Sequence, residues 1–206
     1  MLLIAAISSF FALDNAIGNF MISRPFICGT VVGYLMGDIK TGLLIGVLTE
    51  LIWIDVFPIG SYVAPELMVS AILSVYWSLA PGGPMEFHTL ALAIALAVPL
   101  SMTFRIADVW NRQLNSKIVR VMENKVNEGS EKAVPAYLYL CIFLFAAKAF
   151  LFFVIFLPLG NIILDWAESI IPLFIKQGLD ASLKFMPVLG FAVAFNFFRK
   201  KKYESA

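Results

Sequence analysis

Long apolar runs alternate with short polar breaks along the whole chain. Residues 2–22 are apolar but interrupted by Asp14, Asn15 and Asn19, which suits a broken or bundle-facing helix better than a lipid-facing span. Arg24 and Pro25 follow, and Pro25 fits the first turn of a new helix. Residues 26–37 are too few for a membrane crossing, which takes about 20. Asp38, Ile39 and Lys40 separate them from a longer run, residues 41–57, closed by Pro58 and Gly60. Pro65 opens another short segment, residues 66–80, and Pro81, Gly82, Gly83 and Pro84 predict a loop. Residues 87–104 form an apolar run, with Pro99 predicting a kink. Short hydrophobic segments interrupted by Gly and Pro point to discontinuous helices around a midplane site, so one or two re-entrant pieces are expected among residues 1–80.

The pattern changes at residue 105. Ile106, Val109, Trp110, Leu114, Ile118, Val121 and Met122 recur at helical spacing, while Arg112, Lys117, Arg120 and Lys125 fill other faces. This predicts either an amphipathic helix on the cytoplasmic surface or a solvated linker helix, and its basic residues argue for the cytoplasmic side. Residues 134–159 are a Phe-rich span with Lys148 at the centre, expected to end at Pro158, Leu159, Gly160 and Asn161. Residues 162–180 mix Asp165, Glu168, Lys176 and Asp180 with apolar positions and read as an amphipathic helix or half-helix. Residues 183–198 return across the membrane to a basic tail that begins at Arg199. The expected organisation is an N-terminal membrane region, 1–104, a cytoplasmic amphipathic helix, 105–133, C-terminal membrane helices, 134–198, and a basic cytoplasmic tail, 199–206. The fold class is all-α, a polytopic membrane helical bundle with short, broken or re-entrant helices in its N-terminal half.

Composition sharpens this reading. Of 206 residues 61% are hydrophobic and 14% charged, against nearer a half and a quarter in soluble domains. An integral membrane protein follows without any comparison. The net charge of +1 offers no footprint for nucleic acid. Cys28 and Cys141 lie in apolar runs and read as small buried hydrophobes, with no Cys/His metal spacing and no cofactor motif. The first residues lack a basic segment, so they read as the first membrane segment and not as a cleaved leader.

Within residues 33–65 the spacing of small residues is informative. Gly33 and Gly37 are four apart, as are Gly42 and Gly46, and the next step of four is Glu50. Gly42, Gly46 and Glu50 share a helix face that admits a second backbone. Glu50 lies roughly 12 Å beyond Gly42 along the axis. An ionisable group at that depth is a functional-site hypothesis by default.

The same stretch resembles the membrane-embedded IIC component of the mannose/fructose/sorbose family of bacterial sugar phosphotransferase systems. Gly33, Gly37, Asp38, Gly42, Gly46, Leu48, Thr49 and Glu50 fit the family signature. Ile45 stands where the family usually has Met, and Val47 where it has a further Gly. Arg24 with Pro25 upstream, and Ile59, Gly60, Ala64, Pro65 and Glu66 downstream, are also similar. The match covers about residues 8–80 and continues more weakly to about residue 200.

The resemblance implies a sugar-translocating subunit of a phosphoenolpyruvate-dependent system in the bacterial inner membrane. It implies a IID membrane partner, cytoplasmic IIB and IIA phosphocarriers, a hexose or amino-sugar substrate, a homo-oligomer of the IIC/IID complex and an elevator-like movement. Phosphohistidines would lie on the separate carriers. His88 is the one histidine here and reads as a cap or interface residue, so no catalytic residue is expected. The family carries further apolar segments beyond the point where this sequence stops. A C-terminally short version is therefore expected, with a non-transporting regulatory or scaffolding subunit as the alternative.

Sugar sites use carboxylates and amides, which bind neighbouring hydroxyls, and aromatic faces. The substrate-binding candidates are Glu50, Asp38, Asp14, Asn15 and Glu66, with Asp55 beside them and Trp53 as a platform. Each has a plainer alternative. Glu50 can bond a broken-helix N-terminus, Asp38 can cap the helix after it, and Glu66 can favour a first-turn dipole. Lys148 is expected in a structural ion pair with an N-terminal acid or a partner subunit, because a central Lys costs roughly 3 kcal/mol uncompensated.

Overall fold

A computed structural model describes the chain except for Asn19, residues 54–65, residues 81–85, Glu131 and residues 205–206, with side chains described through residue 196. Asp55, the 58–65 part of the signature region, the 81–84 loop and the side chains of the basic tail lie outside the described residues. Among the described residues seven helices follow in order: α1 Leu2–Ile17, α2 Pro25–Met36, α3 Ile39–Ile52, α4 Leu67–Leu79, α5 Phe87–Asn127, α6 Ala133–Ile170 and α7 Leu173–Glu204. The fold is all-α, with short helices in the N-terminal half and long ones after it.

The short helices hold 12 to 16 residues, about 18–24 Å at 1.5 Å per residue. That is less than the roughly 30 Å hydrocarbon core. By length and composition α5, α6 and Leu173–Asn196 of α7 can each cross a membrane. α4 is buried almost all round, with Met68, Val69, Ile72, Leu73, Val75 and Trp77 in the core. A helix apolar on every side belongs in the middle, and α4 packs on α5, α2, α3 and α6.

α2 and α3 form a tight helical hairpin. Gly37 ends α2 in the left-handed region at φ 92° and closes it onto the carbonyls of Gly33 and Tyr34. Along the seam a Cβ on Gly33 would lie 2.7 Å from Cα of Gly42, and one on Gly46 would lie 2.8 Å from Cα of Phe26. Gly29 meets the Gly42 carbonyl in the same way. Only hydrogens fit between these backbones, which is what the four-residue glycine spacing encodes.

Two expected boundaries do not interrupt the helices. The change of character at residue 105 falls inside α5, which continues unbroken to Asn127. Pro158 also lies inside α6, and the helix runs on to Ile170. Gly160 is a socket there and not a stop: the Trp77 ring lies against it, and the Trp77 indole donates to the Leu157 carbonyl at 3.0 Å. The break comes instead at Ile171, whose ψ of 120° is extended. A residue before proline, here Pro172, disfavours the helical region. Residues 162–180 are thus the end of α6 and the start of α7, and not one amphipathic half-helix. The basic tail continues α7 to Glu204.

Candidate functional site

Four of the candidates meet where the ends of the short helices converge. The Asp14 carboxylate, near the end of α1, accepts the backbone N–H of Phe20 at 2.7 Å and of Ser23 at 3.0 Å. It thereby folds the connector to α2, in which Met21 takes a positive φ of 63°. Backbone strain of this kind persists only where the surroundings enforce it. Next to it, the Asn15 amide donates to Glu66 Oε2 at 2.9 Å, and the Ser23 hydroxyl approaches Asn15 Oδ1 at 3.5 Å. Glu66 is the N-cap of α4. Glu50, in the last turn of α3, accepts the N–H of Phe26 at 3.3 Å and stands 3.4 Å from the Arg24 guanidinium. The positive end of α2 thus faces a carboxylate from its hairpin partner.

Glu50 takes the helix-terminus role in this structure. It holds the N-terminus of a short helix, and it remains about a quarter exposed beside an arginine. Trp53, one turn further on, is buried, and its Nε1 meets no acceptor among the described residues.

Asp38 does not join this cluster. It accepts the Thr41 N–H at 3.1 Å and the Thr41 hydroxyl at 2.5 Å, which makes it the N-cap of α3. Twelve residues of helix put it about 18 Å from Glu50. The bonds from Thr41 hold its carboxyl below the ordinary value.

Lys148 finds its ion-pair partner within the chain, in Asp108 and not in one of the acids of residues 1–104. Its ammonium lies 3.0 Å from Asp108 of α5, between the rings of Phe104 and Phe145. Asp108 also takes the Arg112 Nε at 3.0 Å. Glu66 lies within electrostatic range of all three charges, so the helix-end cluster and this ion group are neighbours. Sequence reasoning missed Asp108 as part of the interior and Arg112 as its second, exposed partner. The available signal was their acid-to-base spacing of four, one turn beyond buried Phe104. His88 lies 2.9 Å from Glu86 and 3.8 Å from Asp180, tying the start of α5 to α7; the nearer contact is at ion-pair distance without hydrogen-bond alignment.

Short helices that meet end to end on charged side chains, beside helices long and apolar enough to cross a membrane, define a helical integral membrane protein with a partly exposed polar cluster. The chain belongs to the family of sorbose-specific IIC components of the phosphotransferase system, whose family model matches residues 1–205. It is 26% identical over 188 residues to the mannose-specific EIIC component of Escherichia coli K12, covering 91% of this chain and 69% of that protein. To the sorbose-specific EIIC component of Klebsiella pneumoniae it is 22% identical over 182 residues, 88% of this chain and 66% of the relative. Two solved structures share the fold. A membrane-protein structure superposes with a TM-score of 0.76 at 24% identity, over 96% of this chain and 78% of the other. The mannose transporter ManYZ in complex with microcin E492 does so with a TM-score of 0.68 at 24% identity, over 96% of this chain and 79% of that one.

Proposed function

We propose that this chain is the sugar-translocating IIC subunit of a mannose-type, phosphoenolpyruvate-dependent phosphotransferase system. It works with a IID subunit in the bacterial cytoplasmic membrane and delivers a hexose or amino sugar to cytoplasmic IIB and IIA carriers. One observation carries the reading: Asp14, Asn15, Glu50 and Glu66, from separate stretches of sequence, converge where helix ends meet. The Asn15–Glu66 pair offers an amide and a carboxylate side by side, the donor–acceptor edge that vicinal hydroxyls bind. The long Arg24–Glu50 contact leaves a carboxylate oxygen that a hydroxyl can take over. Trp53 supplies an aromatic face and an indole donor that meets no acceptor among the described residues. Asp14 shapes the connector, and Asp38 acts as a cap remote from the sugar.

The test is expression of the chain with its IID neighbour, followed by phosphoenolpyruvate-dependent uptake of radiolabelled mannose, fructose and sorbose. Glu50→Gln is expected to lower uptake by about tenfold or more, the loss of one charge-assisted contact. Unchanged uptake in the variant removes Glu50 from the site. A purified wild-type complex without saturable binding of any of the three sugars overturns the transport reading in favour of a non-transporting membrane subunit.

A further inference from the structure

The inner face of α5 carries a second polar set, which the helix-end cluster does not use. Positions 97, 101, 104, 108, 111 and 115 recur at alternating steps of four and three and so share one face. Ala97, Ser101, Phe104 and Asp108 on this face are buried, and Asn111 is only 6% exposed. The Oδ1 atoms of Asn111 and Asn115 are sealed from solvent and meet no donor among the described residues. A buried carbonyl oxygen left without a donor costs about 1–3 kcal/mol, and native interiors hold few of them.

The outer face of the same stretch is the reverse. Ile106, Trp110 and Leu114 are 58%, 68% and 53% exposed. A helix that is polar toward the protein and apolar outward suits a hydrocarbon surround better than water. Its neighbour agrees: α6 is apolar through residues 134–147 up to Lys148, the residue that meets Asp108. Fifteen residues separate Ala133 from Lys148, about 22 Å of helix within a core of about 30 Å. Asn111 and Asn115 lie one and two turns beyond Asp108, toward the end of α5 that carries Lys117, Arg120 and Lys125. Positive charge marks that end as cytoplasmic.

We propose that Asp108, Asn111 and Asn115 form a second binding station for a neutral polyhydroxylated ligand, between the Asn15–Glu66 cluster and the cytoplasmic end of α5. This rests on the transport reading above. The two amide oxygens accept hydroxyl protons, and the Asp108 carboxylate fixes the edge they present. Lys148 and Arg112 both pair with Asp108, which leaves neither a free carboxylate for a cation nor an unpaired cation for a phosphate. The station therefore favours neither a cation nor a phosphorylated sugar, and the ligand passes it before phosphorylation.

The test uses the full chain with its IID neighbour and compares wild type, Asn111→Leu and Asn111→Gln. Three quantities are read: uptake of the three labelled sugars, their equilibrium binding to the purified complex, and the melting temperature. Asn111→Leu is expected to lower the maximal uptake rate about tenfold or more while sugar affinity changes by less than about twofold, the split of a contact made after the first binding step. Its melting temperature should not fall, since Leu leaves no unpaired amide, and Asn111→Gln should recover part of the rate. Wild-type uptake in Asn111→Leu overturns the station, as does loss of rate, affinity and thermal stability together, which would mark Asn111 as structural only. A wild-type complex that neither binds nor moves sugar removes the transport reading first and the station with it.

Discussion

The Lys148 ammonium sits 3.0 Å from Asp108 and 4.0 Å and 4.3 Å from the ring centres of Phe145 and Phe104. Asp108 is almost fully buried, whereas its second partner, Arg112, is two-thirds exposed. The two cations are therefore not equivalent. Removing Asp108 strands Lys148 inside, while removing Lys148 leaves Asp108 paired with Arg112. Asp108→Asn should cost about 3–5 kcal/mol, the range for an orphaned buried charge, and Lys148→Met clearly less. Thermal unfolding of the purified variants in detergent measures both, and equal losses would show that Arg112 does not share the load.

The hairpin seam predicts a contrast between glycines. Ala at Gly33 puts a Cβ 2.7 Å from the Gly42 backbone, which cannot retreat as a flexible side chain can. Gly33→Ala should destabilise by about 1–3 kcal/mol, as overpacked sites do. A Cβ at Gly178 of α7 meets nothing within 4 Å. There Ala should be neutral or stabilise by up to about 1 kcal/mol through helix propensity. The same unfolding assay tests the pair, and a harmless Gly33→Ala would contradict the close approach of the two backbones.

Trp77 and Gly160 should be coupled. Gly160→Ala alone collides with the indole, and Trp77→Phe alone loses the bond to the Leu157 carbonyl. Together the smaller ring makes room for the methyl group. A double-mutant cycle should show an interaction of about 0.5–3 kcal/mol, the range for residues in contact. Strict additivity would show that the two do not touch.

Asp38 gives a pH signature. Its carboxyl is held below the ordinary value of 3.8 by the Thr41 hydroxyl and N–H. A depressed folded value means that the stabilisation is complete above the unfolded value and is lost as the pH falls through the folded one. Asp38→Ala should cost about 1 kcal/mol near neutrality, as lost caps do. The gap to wild type should hold down to about pH 5 and close only below 3.8. Unfolding followed from pH 7 to pH 3 checks this, and a gap that never closes assigns the loss to packing.

The glycine face and the charged residues of the N-terminal half were legible because they are local. Gly42, Gly46 and Glu50 share a face by helix geometry alone, and Asp38 precedes its own helix. Pro158 misled because proline breaks helices on average, while here α6 continues with Trp77 bonded one residue earlier and Ile171 before Pro172 supplies the break. The stretch after residue 105 was legible as a helix, but its inward face was not: the structure buries Asp108 and Asn111 and exposes Trp110. Amphipathicity gives two faces without saying which is the inside.

By itself the sequence determined that the chain is a helical membrane protein, where its short and long apolar segments lie, and that α3 presents a glycine face to a second backbone. Those properties follow from hydropathy, length and spacing, which are carried by neighbours along the chain. Only the tertiary structure decided that Asn15 meets Glu66, that Glu50 holds the start of α2, and that Lys148 answers to Asp108 across 40 residues. Each of those contacts joins different helices, and their pairing is fixed by packing around buried α4, which no local pattern records.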